Sequence, residues 1–291
     1  MINLPRINLT EDGRVNVTPY VLDVSPEMPL SVKRPAVLVL PGGGYNALSD
    51  REGEPIAMAF AAQGFHTFVL RYSVREYASF PNPLTDLMRC MKLIKENSEQ
   101  WAVDPDAIAV CGFSAGGHLA ASLGVYWNEP SILAQAGVTA EEAKPGALIL
   151  CYPVITAGDN RESTTIQTAA RGHENEPDIL NVLSLEKHAG PHTPPAYLAH
   201  TFFDPVVPVE NSLLFASALA AADVPFEIHV TQDGNHGLAL GTHLTSFGTT
   251  LECSKFAAWV QNSGDWMRKL FSFVSSGDTP YPSALTRRRH G

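Results

Sequence analysis

The sequence predicts an α/β fold, a mostly parallel central sheet with helices on both faces. Three observations carry that prediction. Apolar runs of strand length alternate with helical patterns from about residue 15 to residue 274, and strands separated by helices pair in parallel, each helix covering the sheet on its return. No repeat and no linker divides the chain, so residues 1–275 read as one domain. An apolar fraction of 45% over 291 residues is enough to fill a core on both faces of such a sheet.

Each element has its own signal. Val15–Val24 and Pro35–Leu40 are expected strands, and Glu54–Gln63 an expected helix entered through Ser49-Asp50-Arg51-Glu52, which has the form of a capping box. Phe65–Arg71 is the next strand. Pro83–Trp101 is helical, with Leu84, Leu87, Met88, Met91 and Ile94 recurring at spacings of three and four. Ala107–Cys111 is a strand, Gly117–Tyr126 a helix, and Ala147–Tyr152 and Pro195–Thr201 are further strands. Val209–Ala222 is a helix, Phe226–Thr231 a strand and Cys253–Val274 a closing helix. Thr156–Thr193 breaks the alternation. It is far longer than the usual ~2–6-residue connection, so a lid or cap over a site is expected there, with Pro177–His188 helical. Residues 276–291 read as a flexible tail.

Charge and cysteine usage exclude several classes. A formal net charge of −10 argues against nucleic acid as a partner, since no basic surface is available to displace counterions from phosphates. The one basic cluster, Arg287-Arg288-Arg289, lies in the last five residues. Cys90, Cys111, Cys151 and Cys253 lack metal-ligand spacing, so no metal, disulfide framework or other cofactor is expected. The start of the chain lacks a signal-peptide pattern, and no apolar run approaches the ~20 residues that span a bilayer. A cytoplasmic protein without membrane contact is the expectation, while its oligomeric state leaves no mark in the sequence.

The strand at Ala107–Cys111 runs straight into Gly112-Phe113-Ser114-Ala115-Gly116, and a small-residue helix follows. Gly-x-Ser-x-Gly between a strand and a helix is a nucleophile elbow, a turn so tight that only small residues fit two positions either side of the serine. A serine hydroxyl needs a neighbouring base to take its proton and an acid to orient that base. Of the ten histidines, His236 stands in a turn-rich loop just past a strand, where parallel-sheet enzymes place catalytic groups. His243, a few residues on, is its competitor. Asp204 stands in the same way at the end of Pro195–Thr201, and 32 residues, one helix-and-strand unit, separate it from His236. The oxyanion of acyl transfer needs two backbone donors aimed at one point. Ala115 N–H is one. The loop Pro41-Gly42-Gly43-Gly44-Tyr45 supplies the other through Gly43 or Gly44, because three glycines in a row are costly unless the main chain must approach something closely. Tyr45 is a candidate for substrate contact.

Taken in order, these segments resemble the α/β-hydrolase superfamily, specifically its bacterial carbohydrate-esterase and acetyl-esterase branch, related to the hormone-sensitive-lipase-like esterases. The resemblance also rests on Leu70-Arg71-Tyr72-Ser73, Leu185-Glu186-Lys187-His188, Thr193-Pro194-Pro195 and Asp204–Pro208, and spans nearly the whole chain. Two departures stand out: Pro41 where many relatives carry a histidine, and Phe202-Phe203 before Asp204. The resemblance implies hydrolysis of small esters, with acetylated sugars as the expected substrates. A short-chain carboxylesterase or lipase-like enzyme, a serine peptidase and a non-catalytic binding protein of the same fold are the alternatives.

Overall fold

The structure is a computed structural model and describes residues 4–25, 27, 33–246 and 252–272. The expected tail, 276–291, lies outside the described residues. Eight strands form one sheet in the order β1-β2-β4-β3-β5-β6-β7-β8. They are β1 (Ile7–Asn8), β2 (Asn16–Tyr20), β3 (Arg34–Leu40), β4 (His66–Arg71), β5 (Val103–Phe113), β6 (Ala147–Cys151), β7 (Ala196–Thr201) and β8 (Phe226–Thr231). The first two pair antiparallel, β2 also runs antiparallel to β4, and every other pairing is parallel.

Helices cover both faces because the strands are apolar on both. Even-numbered residues of β3 (Ala36, Leu38, Leu40) face a core shared with α2 (Asn82–Glu96), α4 (Ala115–Tyr126) and α9 (Glu210–Ala221), whose Phe215 and Leu219 are wholly buried. Odd-numbered Val37 and Val39 face a second core closed by α1 (Glu54–Ala61) and α11 (Trp259–Leu270), with Phe60, Trp259 and Met267 as its bulk. The chain leaves β3 toward β4 and returns to β3's other side as β5. That reversal opens a crevice beyond the carboxyl ends of β3 and β5, where open parallel sheets bind ligands.

Several boundaries differ from expectation for local reasons. β2 ends early because the Leu22 N–H goes to His66 Nδ1 (3.1 Å) rather than along the sheet. The helix expected over Pro83–Trp101 stops at Asn97, whose side-chain amide donates to Leu93 O (2.8 Å), and α3 (Ser98–Trp101) is a single turn beyond it. α5 (Pro130–Ala136) and α6 (Ala140–Ala143) are too short to leave a periodic signal. Within Thr156–Thr193, α7 (Ser163–Ala169) was not expected, and Pro177–His188 is α8 (Pro177–Val182) followed by a 3-10 turn at Leu185–Lys187. The closing helix is divided at Ala258 into α10 (Ser254–Ala257) and α11. The capping box is a correction: Ser49 makes no side-chain cap, and Glu52 is 3% exposed with its carboxylate turned into the interior.

Candidate active site

Ser114 is the junction between β5 and α4, at φ 53° and ψ −116°. A non-glycine residue at positive φ is strained, and the surroundings hold it there. Its N–H donates to Cys151 O (3.1 Å), and its carbonyl accepts from Val154 N–H (3.1 Å) and His118 N–H (3.0 Å). The flanking glycines are steric necessities. A Cβ on Gly112 would lie 2.1 Å from Gly116 O, and one on Gly116 2.2 Å from Leu40 O.

Ser114 Oγ lies 2.9 Å from His236 Nε2, and His236 Nδ1 lies 2.7 Å from Asp204 Oδ2. Three strand ends thus bring together side chains up to 122 residues apart. In such a line the imidazole is placed to accept the serine proton while the carboxylate fixes its tautomer. The Asp204 side chain is wholly buried. Its Oδ1 accepts from Val206 and Val207 N–H at 2.9 Å each. Burial alone would push its pKa up, but the His200 ring 3.6 Å away, the hydrogen bond and charge of His236 and the Val206 N–H outweigh it and hold it well below the usual carboxylate range. The loop just past His236 anchors the ring. Leu238 and Ala239 are fully buried, and Arg51 donates to Gly237 O (2.8 Å) and Thr245 O (3.1 Å).

The other histidines are engaged elsewhere. His243 is almost entirely exposed and meets Glu252 at the surface. His200 sits behind Asp204, bound to Ser212 Oγ and Val207 O. His118 is buried, its Nδ1 on Tyr45 and its Nε2 on Leu183 O, and burial pushes its pKa down to about 4. His290 lies outside the described residues.

The glycine loop reaches the serine as expected. Gly42 approaches so closely that a Cβ there would lie 3.0 Å from Ser114 Cβ. Gly43 and Gly44 have φ of 134° and 62°, and a Cβ on Gly43 would meet Ala47 O at 2.2 Å. Gly42 N–H is committed to Glu52 (2.8 Å), so the next N–H groups, at Gly43 and Gly44, remain the candidates for facing a substrate oxygen. Ala115 opens α4, where first-turn N–H groups lack intrahelical partners. Tyr45 is a correction. It is 3% exposed, packs edge-on against Tyr72 and His118, and donates to His118 (3.1 Å). Its ring supports the loop from the core side. Phe202 and Phe203 face solvent edge-to-face beside Asp204.

Two residues escaped the sequence reading. Glu52 Oε2 accepts from Gly42 N–H (2.8 Å) and Oε1 from Tyr152 O–H (2.8 Å), and the Tyr152 hydroxyl accepts from Ala239 N–H (2.8 Å). Burial pushes Glu52 up despite these hydrogen bonds. The Tyr152 ring stands edge-on to His236, centroids 5.0 Å apart. A Glu three residues after a Ser gives the same pattern as a helix cap, so spacing could not have separated the two roles. Among the described residues, no helix is long and apolar enough to cross a membrane, and no group of three metal-ligating side chains is arranged to hold an ion.

Strand order, the serine turn and the chain order Ser, Asp, His together define an α/β-hydrolase. More narrowly, the chain belongs to the BD-FAE family, whose model matches residues 22–219. It is similar to endo-1,4-beta-xylanase B of Butyrivibrio fibrisolvens, with 37% identity over 72% of this chain and 33% of that protein. It is also similar to the acetylxylan esterase of Xylanibacter ruminicola, 26% identical over 91% of this chain and 50% of that protein. The chain therefore spans a third to a half of the length of these curated relatives. Among solved structures, the acetyl ester-xyloside bifunctional hydrolase from Caldicellulosiruptor lactoaceticus matches with a TM-score of 0.76 and 31% identity, covering 93% of this chain and 97% of that one.

Proposed function

We propose that this chain is a serine esterase that removes short acyl groups, acetyl above all, from saccharides. The observation that carries the reading is the hydrogen-bonded line from Ser114 through His236 to Asp204, with the serine at positive φ. Ser114 Oγ attacks the ester carbonyl as His236 Nε2 takes its proton. The tetrahedral oxyanion lies against the N–H of Ala115 and of Gly43 or Gly44. His236 returns the proton to the departing alcohol, leaving an acyl-enzyme. Water, deprotonated by the same histidine, then releases the acid and restores Ser114. Asp204 stays ionised and stabilises the imidazolium.

The preference for short acyl groups rests on the insertion Thr156–Thr193, which forms a cap in this reading. Among the described residues no large apolar side chain in it is exposed, and α8 buries none of its residues. Its α7 reaches the glycine loop, with the Asn46 amide donating to Thr168 Oγ1 (3.0 Å). A long acyl chain gains ~0.8 kcal/mol per methylene only where apolar surface receives it. The names of the acetylxylan esterase and of the acetyl ester-xyloside hydrolase support saccharides as the alcohol. A cytoplasmic location belongs to this reading, on the strength of four free thiols, three of them buried. The test is kcat/KM on p-nitrophenyl esters from acetyl to octanoyl, beside acetyl release from acetylated xylo-oligosaccharides. Acetyl should be preferred, and Ser114→Ala should lose at least about a thousandfold. A steady rise toward octanoyl would refute the substrate class, and an active Ser114→Ala would refute the mechanism.

A further inference from the structure

A buried carboxylate that the acyl-transfer steps do not use lies directly behind the site. Glu52 joins two loops that come from opposite halves of the chain. Through Oε2 it holds Gly42 N–H, in the loop after β3 whose next two residues, Gly43 and Gly44, are the oxyanion-hole candidates. Through Oε1 and the Tyr152 hydroxyl it reaches Ala239 N–H, in the loop that carries His236. Every link in this path is 2.8 Å. The donors all point one way: Ala239 N–H to Tyr152, then Tyr152 O–H and Gly42 N–H to the carboxylate. An oxygen acceptor at both positions is what this arrangement requires, and a glutamate carboxyl supplies two oxygens where a glutamine would set an N–H₂ against one of the donors.

The surroundings indicate that the geometry is specified. Tyr152 sits at φ 38°, just past β6, a strained conformation that aims its hydroxyl at Glu52 while its ring stands against His236. Ala239 is also at positive φ (52°), and its carbonyl accepts from Trp259 Nε1 (2.9 Å), so both sides of that residue are pinned. Arg51, the neighbour of Glu52, donates to Gly237 O in the same histidine loop. The charged and titratable groups around Glu52 are Arg51, His236 and Tyr152, with the Tyr72 and Cys151 side chains close enough to feel its charge.

We propose that Glu52, acting through Tyr152, is a positioning residue that locks the oxyanion loop and the histidine loop into one register around Ser114. The inference rests on the serine-esterase reading. Glu52 touches neither substrate nor reacting atoms. It sets where the Gly43–Gly44 peptides and the His236 ring stand when the tetrahedral oxyanion forms, so its loss falls on the transition state and spares ground-state binding.

The test uses the full chain with Tyr152→Phe, Glu52→Gln, the double variant and Ser114→Ala, assayed on p-nitrophenyl acetate. Active sites are counted by fluorophosphonate labelling, so that kcat is expressed per competent site and partial misfolding does not register. Tyr152→Phe keeps the ring against His236 and removes one oxygen atom. It should lower kcat per site about tenfold or more, against the ~10²–10³-fold loss of an oxyanion donor itself, with KM within about twofold. Glu52→Gln sets an amide N–H₂ against one of its two donors and should lose a similar factor. The double variant should be no worse than the weaker single one, because both cut the same path. Wild-type kcat per site in Tyr152→Phe, with Ser114→Ala inactive, would overturn the proposal. Tyr152→Phe decides alone if Glu52→Gln fails to fold. Activity in Ser114→Ala would instead overturn the esterase reading beneath it.

Discussion

Replacing Asp204 by Asn tests the site most sharply, because the structure dictates how the new amide must sit. Asp204 Oδ1 accepts from two backbone donors, Val206 and Val207 N–H, at 2.9 Å each. An amide N–H₂ placed there would face both, so the amide oxygen must take that position. Its nitrogen then occupies the place of Oδ2, 2.7 Å from His236 Nδ1. A donor at that point forces Nδ1 to accept, and the ring proton moves to Nε2, pointing at Ser114 Oγ 2.9 Å away. An imidazole already carrying its proton toward the nucleophile has no lone pair to receive another. The same exchange in a serine-protease triad costs about 10⁴ in kcat, which at ~1.36 kcal/mol per tenfold is ~5.5 kcal/mol of transition-state stabilisation. The fold should survive. The loss of charge-assisted hydrogen bonds costs ~1.5–3 kcal/mol, partly offset because no charge is buried. The sign with pH is fixed. Asp204 has a folded pKa below its unfolded value of ~3.9. Its stabilisation is therefore full above that value and lost progressively as pH falls from there through the folded one, so the gap between wild type and variant begins to narrow below pH ~4. Steady-state kinetics on p-nitrophenyl acetate at pH 7, with urea melts there and at about pH 3, measure both effects. A kcat within about tenfold of wild type would refute the tautomer argument.

His236→Ala should reduce kcat as severely as Ser114→Ala, with no further loss in the double variant, while the exposed His243→Ala stays near wild type. The reverse pattern between the two histidines would refute the assignment of the base. The buried His66 and His118 are both pushed down to about 4 by burial. Because their folded pKa values lie below the unfolded ~6.5, they contribute stability that is full above pH ~6.5 and is lost toward pH ~4, each by up to ~1.4 kcal/mol per pH unit. Equal urea midpoints at about pH 7 and about pH 5 would contradict this. Gly116→Ala puts a Cβ 2.2 Å from Leu40 O and 2.6 Å from Pro41 O, forcing the serine turn away from the glycine loop. A destabilisation of at least ~1–3 kcal/mol is expected, and a variant with an unchanged melting temperature would refute the close approach.

Much of this was legible in the chain itself. The strand-then-helix alternation, the glycines around Ser114, and the placement of Asp204 and His236 just past strands are local patterns, and local sterics and burial impose them wherever the sequence folds as a parallel sheet. Short elements such as α5, α6 and α7 were not legible, because one or two turns carry no periodicity and are held by contacts with distant residues. The same limit explains the two side chains that were misread. Ser49-Asp50-Arg51-Glu52 satisfies a helix-capping pattern, yet Glu52 turns inward because Gly42 N–H and the Tyr152 hydroxyl, 10 and 100 residues away, offer a buried carboxylate two donors. Tyr45 follows a glycine loop and reads as a candidate for substrate contact, yet His118, 73 residues on, accepts its hydroxyl in the core. The sequence by itself determined which strand ends carry Ser114, Asp204 and His236, since those placements follow from spacing along one segment. The partner of each buried polar group was decided only by the tertiary structure, because a buried donor or acceptor must be satisfied by whatever the fold brings within about 3 Å.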